Sequence, residues 1–79
     1  MIVGYVLITS KPGLERKILS ELNNLDRVDE AYALFGEYDL IAKVMAKDYN
    51  DLSRIVIRHI RSIPGVIDTE TLAGVDLMK

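Results

Sequence analysis

The chain repeats its own hydrophobic pattern thirty-eight residues further on. Leu14, Ile18, Leu22 and Leu25 recur as Leu52, Val56, Ile60 and Ile63 in one unbroken register. The same offset carries Ile2 to Leu40, Val6 to Val44, Val28 to Val66 and Leu34 to Leu72. The first set is spaced i, i+4, i+8 and i+11, which is one face of an α-helix. The outer matches fall in short apolar, β-branched runs, which favour strands. A register shared by helix stripes and strand positions argues for two similar βαβ halves within one chain.

Local signals place the elements. Met1–Thr9 (MIVGYVLIT) is apolar nearly throughout and reads as a strand covered on both faces. Ser10-Lys11-Pro12-Gly13 is turn chemistry that opens the first helix, and Asn23-Asn24 suits its fraying end. Val28–Phe35 reads as the second strand, Gly36-Glu37-Tyr38-Asp39 as a hairpin connection, and Leu40–Lys47 as the third strand. Asp48 suits a helix N-cap, with Asp51 adding a carboxylate near the positive helix end. Leu52, Ile55, Val56, Ile60 and Ile63 form the second helical stripe, which Pro64-Gly65 stops. Val66–Val75 is the last strand and Asp76–Lys79 a short tail. The order β-α-β-β-α-β predicts an α+β, ferredoxin-like fold, with a four-stranded antiparallel sheet and two helices on one face.

With 79 residues the chain makes one domain, whose single core is small. It has no Cys and one His, which excludes disulfides, thiol sites and a His-cluster metal site within one chain. Yet 49% of its residues are hydrophobic, which suits oligomerisation as the remaining means of stabilising a small domain. The wholly apolar row Leu40, Ala42, Val44 and Ala46 should face the helices, together with Ile2, Gly4, Val6 and Ile8. The opposite face then carries Val3, Tyr5, Leu7, Ile41, Lys43 and Met45, joined by Glu30, Tyr32, Leu34, Asp68, Glu70 and Leu72. Two helices cover one face only, so this second face predicts a dimer interface through Tyr5, Leu7, Ile41 and Met45, with Lys43 pairing acidic neighbours.

Ten basic against twelve acidic residues give a net charge of −2, so no basic face for direct DNA binding is expected. No apolar run reaches the ~18 residues of a membrane span. Residues 1–9 lack the charged start and cleavage site of a signal peptide, so a cytoplasmic, soluble oligomer is expected.

Chemistry-bearing residues are few. His59 lies on the second helix beside Arg58 and Arg61, without a placed partner to make it a general base. Arg54, Arg58 and Arg61 form a basic stripe that reads as a solvated face partly paired with Asp51. Asp26, Asp29 and Glu30 around Arg27 read as surface carboxylates, and Met45 and Met78 as packing residues. No nucleophilic triad, phosphate-cradling loop or metal-ligand spacing occurs, so no catalytic residue, metal or cofactor is expected. The segment Phe35-Gly36-Glu37-Tyr38-Asp39 is richer than a plain turn needs. Its Gly can expose backbone N–H groups to a ligand, Glu37 or Asp39 can take an ammonium, and Tyr38 offers an apolar wall with a polar tip. Thr69 and Thr71 place two hydroxyls on one face of a strand.

The motifs Gly36-x-Tyr38-Asp39, Lys47-Asp48, Ile63-Pro64-Gly65-Val66 and Thr69-x-Thr71, after the opening Tyr5-Val6-Leu7-Ile8 and Lys11-Pro12-Gly13, resemble one family across essentially all 79 residues. The chain looks like the effector-binding RAM (ACT-like) domain of the Lrp/AsnC transcriptional regulators. The N-terminal helix-turn-helix of full regulators is missing, so the expectation is a stand-alone module spanning 1–79. The resemblance implies homodimers joined sheet to sheet and assembled into rings, with an octamer or decamer expected. It implies an amino-acid effector bound between dimers near Gly36, Glu37, Tyr38 and Asp39, with Thr69 and Thr71 as further contacts, and possible partnership with full-length regulators. Two other readings stay open: a small dimeric enzyme of monooxygenase or isomerase type, which the unsupported His59 and absent Trp disfavour, and an assembly protein without a ligand.

Overall fold

A computed structural model describes residues 1–75; the tail beginning at Asp76, with Met78, lies outside the described residues. The order is β1 (Ile2–Ser10), α1 (Glu15–Asn23), β2 (Val28–Ala33), β3 (Leu40–Ala46), α2 (Tyr49–Ile55) running into a π-helical segment (Val56–Ile60), and β4 (Val66–Ala73). The strands lie in the order β2-β3-β1-β4, and each neighbouring pair is antiparallel. This is the ferredoxin-like sheet that the repeat predicts.

Alternation along the strands decides what is buried. Val6, Ile8, Leu40, Ala42, Val44 and Ala46 are fully buried on the helix side, against Ile18 and Leu22 of α1 and Ile60 of the π segment. Burying a large aliphatic side chain of this kind contributes about 1.5–3 kcal/mol. Gly4 belongs to the same row because Leu52 of α2 descends onto β1. A Cβ at Gly4 would lie 2.5 Å from a Leu52 δ-carbon. Asp48 caps α2 as expected, accepting the Asp51 N–H at 2.8 Å.

The second helix departs from the expected α-geometry. Arg61 N–H donates to the carbonyl of Val56, five residues back, at 2.8 Å. The widened turn leaves Ile57, Arg58 and His59 all exposed between buried Val56 and Ile60. Several boundaries are also tighter than the residue pattern suggests, β3 ending at Ala46 rather than Lys47 among them. Leu25 lies beyond α1 yet still packs against the core. β2 ends at Ala33, because Leu34 N–H closes the hairpin loop on the Asp39 carbonyl at 2.8 Å. β4 ends at Ala73, and the next amide, Gly74 N–H, reaches Val3 carbonyl at 2.7 Å.

The opposite face is open within one chain. Val3, Leu7, Ile41 and Met45 are half-buried there, while Tyr5, Tyr32 and Leu72 are exposed. Cross-strand pairs place Tyr5 beside Lys43 and Leu72, and Leu7 beside Ile41 and Glu70. Lys43 approaches Asp29 at 3.6 Å and Glu30 at 3.8 Å, the acidic neighbours expected for it.

Candidate functional site

The β2–β3 loop is a protrusion held at its root. Gly36 has φ of +150°, a conformation that side-chain-bearing residues rarely adopt. Nothing lies within 4 Å of where its Cβ would be, so it leaves the backbone open to an incoming group. Asp39 is fixed twice: its N–H donates to Ile8 carbonyl at 2.9 Å, and its carboxylate accepts Ser10 N–H at 2.9 Å. Ser10 is buried, so this bond satisfies an amide that water does not reach well. The carboxylate expected to receive an ammonium thus also anchors the loop to β1.

Tyr38 stretches along the open face and donates its hydroxyl to the Glu70 carboxylate. That hydrogen bond above all, then partial burial and the negative charges of Glu70, Glu37 and Asp68, push the phenol up to about 12. Glu37 itself is exposed.

Thr69 and Thr71 point the other way. They pair with Ile8 and Val6, whose side chains are on the helix side. There they form one wall of a groove of about 360 Å³ whose other wall includes Leu52, Val56 and Ile57. Within one chain, therefore, Tyr38 and Glu70 lie on one face of the sheet, and Thr69 and Thr71 on the other. The four loop residues are brought together; the two threonines are brought together; the two groups are not.

Arg27 and Asp51 form a cluster that local sequence reading misses. The Arg27 guanidinium pairs with the Asp51 carboxylate, and its Nε donates to Met45 carbonyl at 3.2 Å. Lys47 N–H donates to the same carboxylate at 2.9 Å, and Arg54 stands 3.9 Å away. The Lys47 amide first, then the Arg27 hydrogen bond, hold Asp51 below the usual carboxylate range. This cluster ties the start of β2 and the end of β3 to the first turn of α2. No short-range signal announces it, since Arg27 sits in sequence among Asp26, Asp29 and Glu30. His59 is exposed beside Asn24 and Asp26, and among the described residues no hydrogen bond orients it. Also among the described residues, no group of three His, Cys, Asp or Glu side chains is placed to hold a metal.

Comparison with known proteins identifies the family. A profile of the Lrp/AsnC ligand binding domain matches residues 3–74. The chain belongs to the Lrp/AsnC family. The regulatory protein AsnC of Escherichia coli is 39% identical over 70 residues, covering 89% of this chain and 45% of AsnC. A crystal structure of a Thermus thermophilus protein superposes with a TM-score of 0.91 at 36% identity, covering 96% of this chain and 95% of that one. A transcriptional regulator of Neisseria meningitidis, solved as a complex with L-Met, shares the fold with a TM-score of 0.85 at 20% identity, covering 99% of this chain and 52% of that one. This chain spans about half the length of the curated relatives it matches. Those relatives are transcriptional regulators, which sets the enzyme alternative aside. Among the described residues no helix is long and apolar enough to cross a membrane.

Proposed function

We propose that this Lrp/AsnC domain senses a free amino acid and passes that event to transcription through its own assembly. The observation that carries the reading is the Gly36–Asp39 loop, rooted by Asp39 on Ile8 and Ser10 while Gly36 stays uncrowded. An α-amino acid needs N–H donors for its carboxylate and an acidic or hydroxyl group for its ammonium. The loop supplies the first through Gly36 and its neighbours. Glu37, Asp39, Thr69 or Thr71 supply the second, and Tyr38 supplies an apolar wall. The L-Met bound by the Neisseria regulator is of this ligand class. Dimers form through Tyr5, Leu7, Ile41 and Met45, and dimers associate further, alone or with full-length regulators of the family. The domain acts on DNA through such partners rather than by direct contact.

Thermal unfolding in the presence of each of the twenty amino acids tests the reading. A ligand at 100-fold its Kd stabilises by about 2.7 kcal/mol, several degrees for a domain of this size. A rise with one or a few amino acids is the expected result. No shift with any of them would remove the effector and favour the assembly-only reading.

A further inference from the structure

We propose that the solvent side of the second helix docks an acidic segment of another protein, one that carries an apolar side chain among its carboxylates. The charge of this chain is unevenly placed. Residues 52–67 hold Arg54, Arg58 and Arg61 and no Asp or Glu, which leaves seven of the ten basic side chains to face all twelve acidic ones. Asp51, the carboxylate expected to pair with the stripe, is committed elsewhere. It accepts the Arg27 guanidinium and the Lys47 N–H, and Arg54 comes no nearer to it than 3.9 Å. Among the described residues Arg58 and Arg61 make no ion pair. Guanidiniums left uncompensated in this way raise the local potential and attract carboxylates.

The three arginines surround an apolar side chain. The π turn leaves Ile57 57% exposed, and Tyr49 of the same helix is 58% exposed. Ile57 is a ridge between two shallow depressions, one lined also by Arg54 and Arg58, the other by Tyr49 and Arg61. An apolar side chain laid against Ile57 therefore has guanidiniums on both flanks, and carboxylates beside it meet them in the bidentate geometry that Arg favours. Tyr and Arg are also among the residues that most often carry the energy of a protein interface. The apolar ridge argues for protein rather than DNA. A phosphate backbone offers nothing to Ile57, and a duplex would meet a chain whose net charge is −2. A second copy is a poorer match, because the one adjacent acidic pair of the chain, Asp29-Glu30, already faces Lys43. This surface lies on the helix side, away from Tyr38 and Glu70 on the open face, so docking does not depend on an amino acid bound at the Gly36–Asp39 loop.

The probe is a short synthetic peptide in which glutamates surround a leucine and a phenylalanine, titrated into the isotope-labelled full chain. Amide shifts are expected at residues 49–61, with affinity falling as salt is raised. Arg58→Glu combined with Arg61→Glu should weaken binding about tenfold or more. The melting temperature of that chain should stay near the wild type's, because both side chains are exposed. Ile57→Ser keeps every charge. It should weaken the peptide while leaving the feebler binding of polyglutamate as it was, which separates an anchored segment from bare charge attraction. No binding of the peptide, shifts confined to other residues, or polyglutamate bound as tightly as the peptide would each overturn the proposal. So would a DNA duplex that displaces the peptide and binds more tightly, which gives the face to phosphate. Loss of self-association in the doubly substituted chain would give it to a second copy and overturn the proposal equally.

Discussion

The Tyr38 hydroxyl donates to the Glu70 carboxylate, joining the β2–β3 loop to edge strand β4, where Glu70 lies opposite Leu7 of β1. The bond fixes the direction in which the loop projects and leaves one carboxylate oxygen facing a phenol that resists ionisation.

This gives a pH signature. Deprotonating Tyr38 sets a phenolate against Glu70, so the phenol titrates near 12 rather than about 10. The folded value lies above the unfolded one, so the stabilisation is fully present below about pH 10 and fades as pH climbs toward 12. Ultraviolet titration of the wild type minus Tyr38→Phe should isolate this late phenol. Glu70→Gln should bring its midpoint back toward about 10. A midpoint unmoved by Glu70→Gln would disconnect the two residues.

Asp51 gives the opposite dependence. Its folded pKa is lowered by Lys47 N–H and Arg27, so its stabilisation is present above about pH 4 and is lost as pH falls through that value and below. Asp51→Ala should be destabilised at neutral pH and lose less further stability on acidification than the wild type. Urea unfolding of both proteins at neutral and acid pH measures this. Parallel losses in the two proteins would show that other carboxylates govern acid unfolding.

The contrast between these sites shows what a sequence carries. The sheet faces are legible because alternation has a period of two and the repeat fixes which row of β1 matches which row of β3. Val6, Ile8, Val44 and Ala46 fall where that reasoning puts them. The π turn is not legible, because five residues from Val56 to Ile60 do not separate its period from that of an α-helix. The Arg27–Asp51 pair spans 24 residues and joins three elements, so only the packed structure brings it together. Gly36, Tyr38 and Asp39 stand out as motif residues. Thr69 and Thr71 fall on the helix side, as the alternation that puts Asp68, Glu70 and Leu72 on the open face requires, so the motif residues divide between the two faces of one chain.

Gly4→Ala tests the close approach of α2 to β1. The added methyl meets Leu52, which is itself held in the core at 3% exposure. Overpacking of this kind costs roughly 1–3 kcal/mol. Denaturant unfolding should show that loss, and Leu52→Ala in the same chain should relieve the clash while opening a gap of its own. A Gly4→Ala protein as stable as the wild type would mean that α2 shifts freely over the sheet.

Ile41→Glu tests the open face. Ile41 is half-buried between Leu7 and Tyr32 in the middle of that face. A carboxylate buried there against a second sheet would carry a desolvation penalty of several kcal/mol. Light scattering should report loss of the dimer, with the helix-side core intact by circular dichroism. A fully dimeric Ile41→Glu protein of unchanged stability would place the interface elsewhere.

Asp39 allows its two roles to be separated. Its carboxylate accepts Ser10 N–H, and the ligand reading also gives it a share in holding an ammonium. Asp39→Ala removes both, and leaving the Ser10 amide unpaired costs about 1–3 kcal/mol. Lost affinity in that variant would therefore not distinguish a collapsed loop from a missing contact. Asp39→Asn keeps an acceptor oxygen of the same reach but removes the charge. Its melting temperature should stay near that of the wild type, while calorimetric titration with the responsive amino acid should show affinity about tenfold or more weaker, the scale of a charge-assisted hydrogen bond. Equal affinity for Asp39→Asn and wild type, with only Asp39→Ala impaired, would make Asp39 a strut of the loop and assign the ammonium to Glu37 or the threonines.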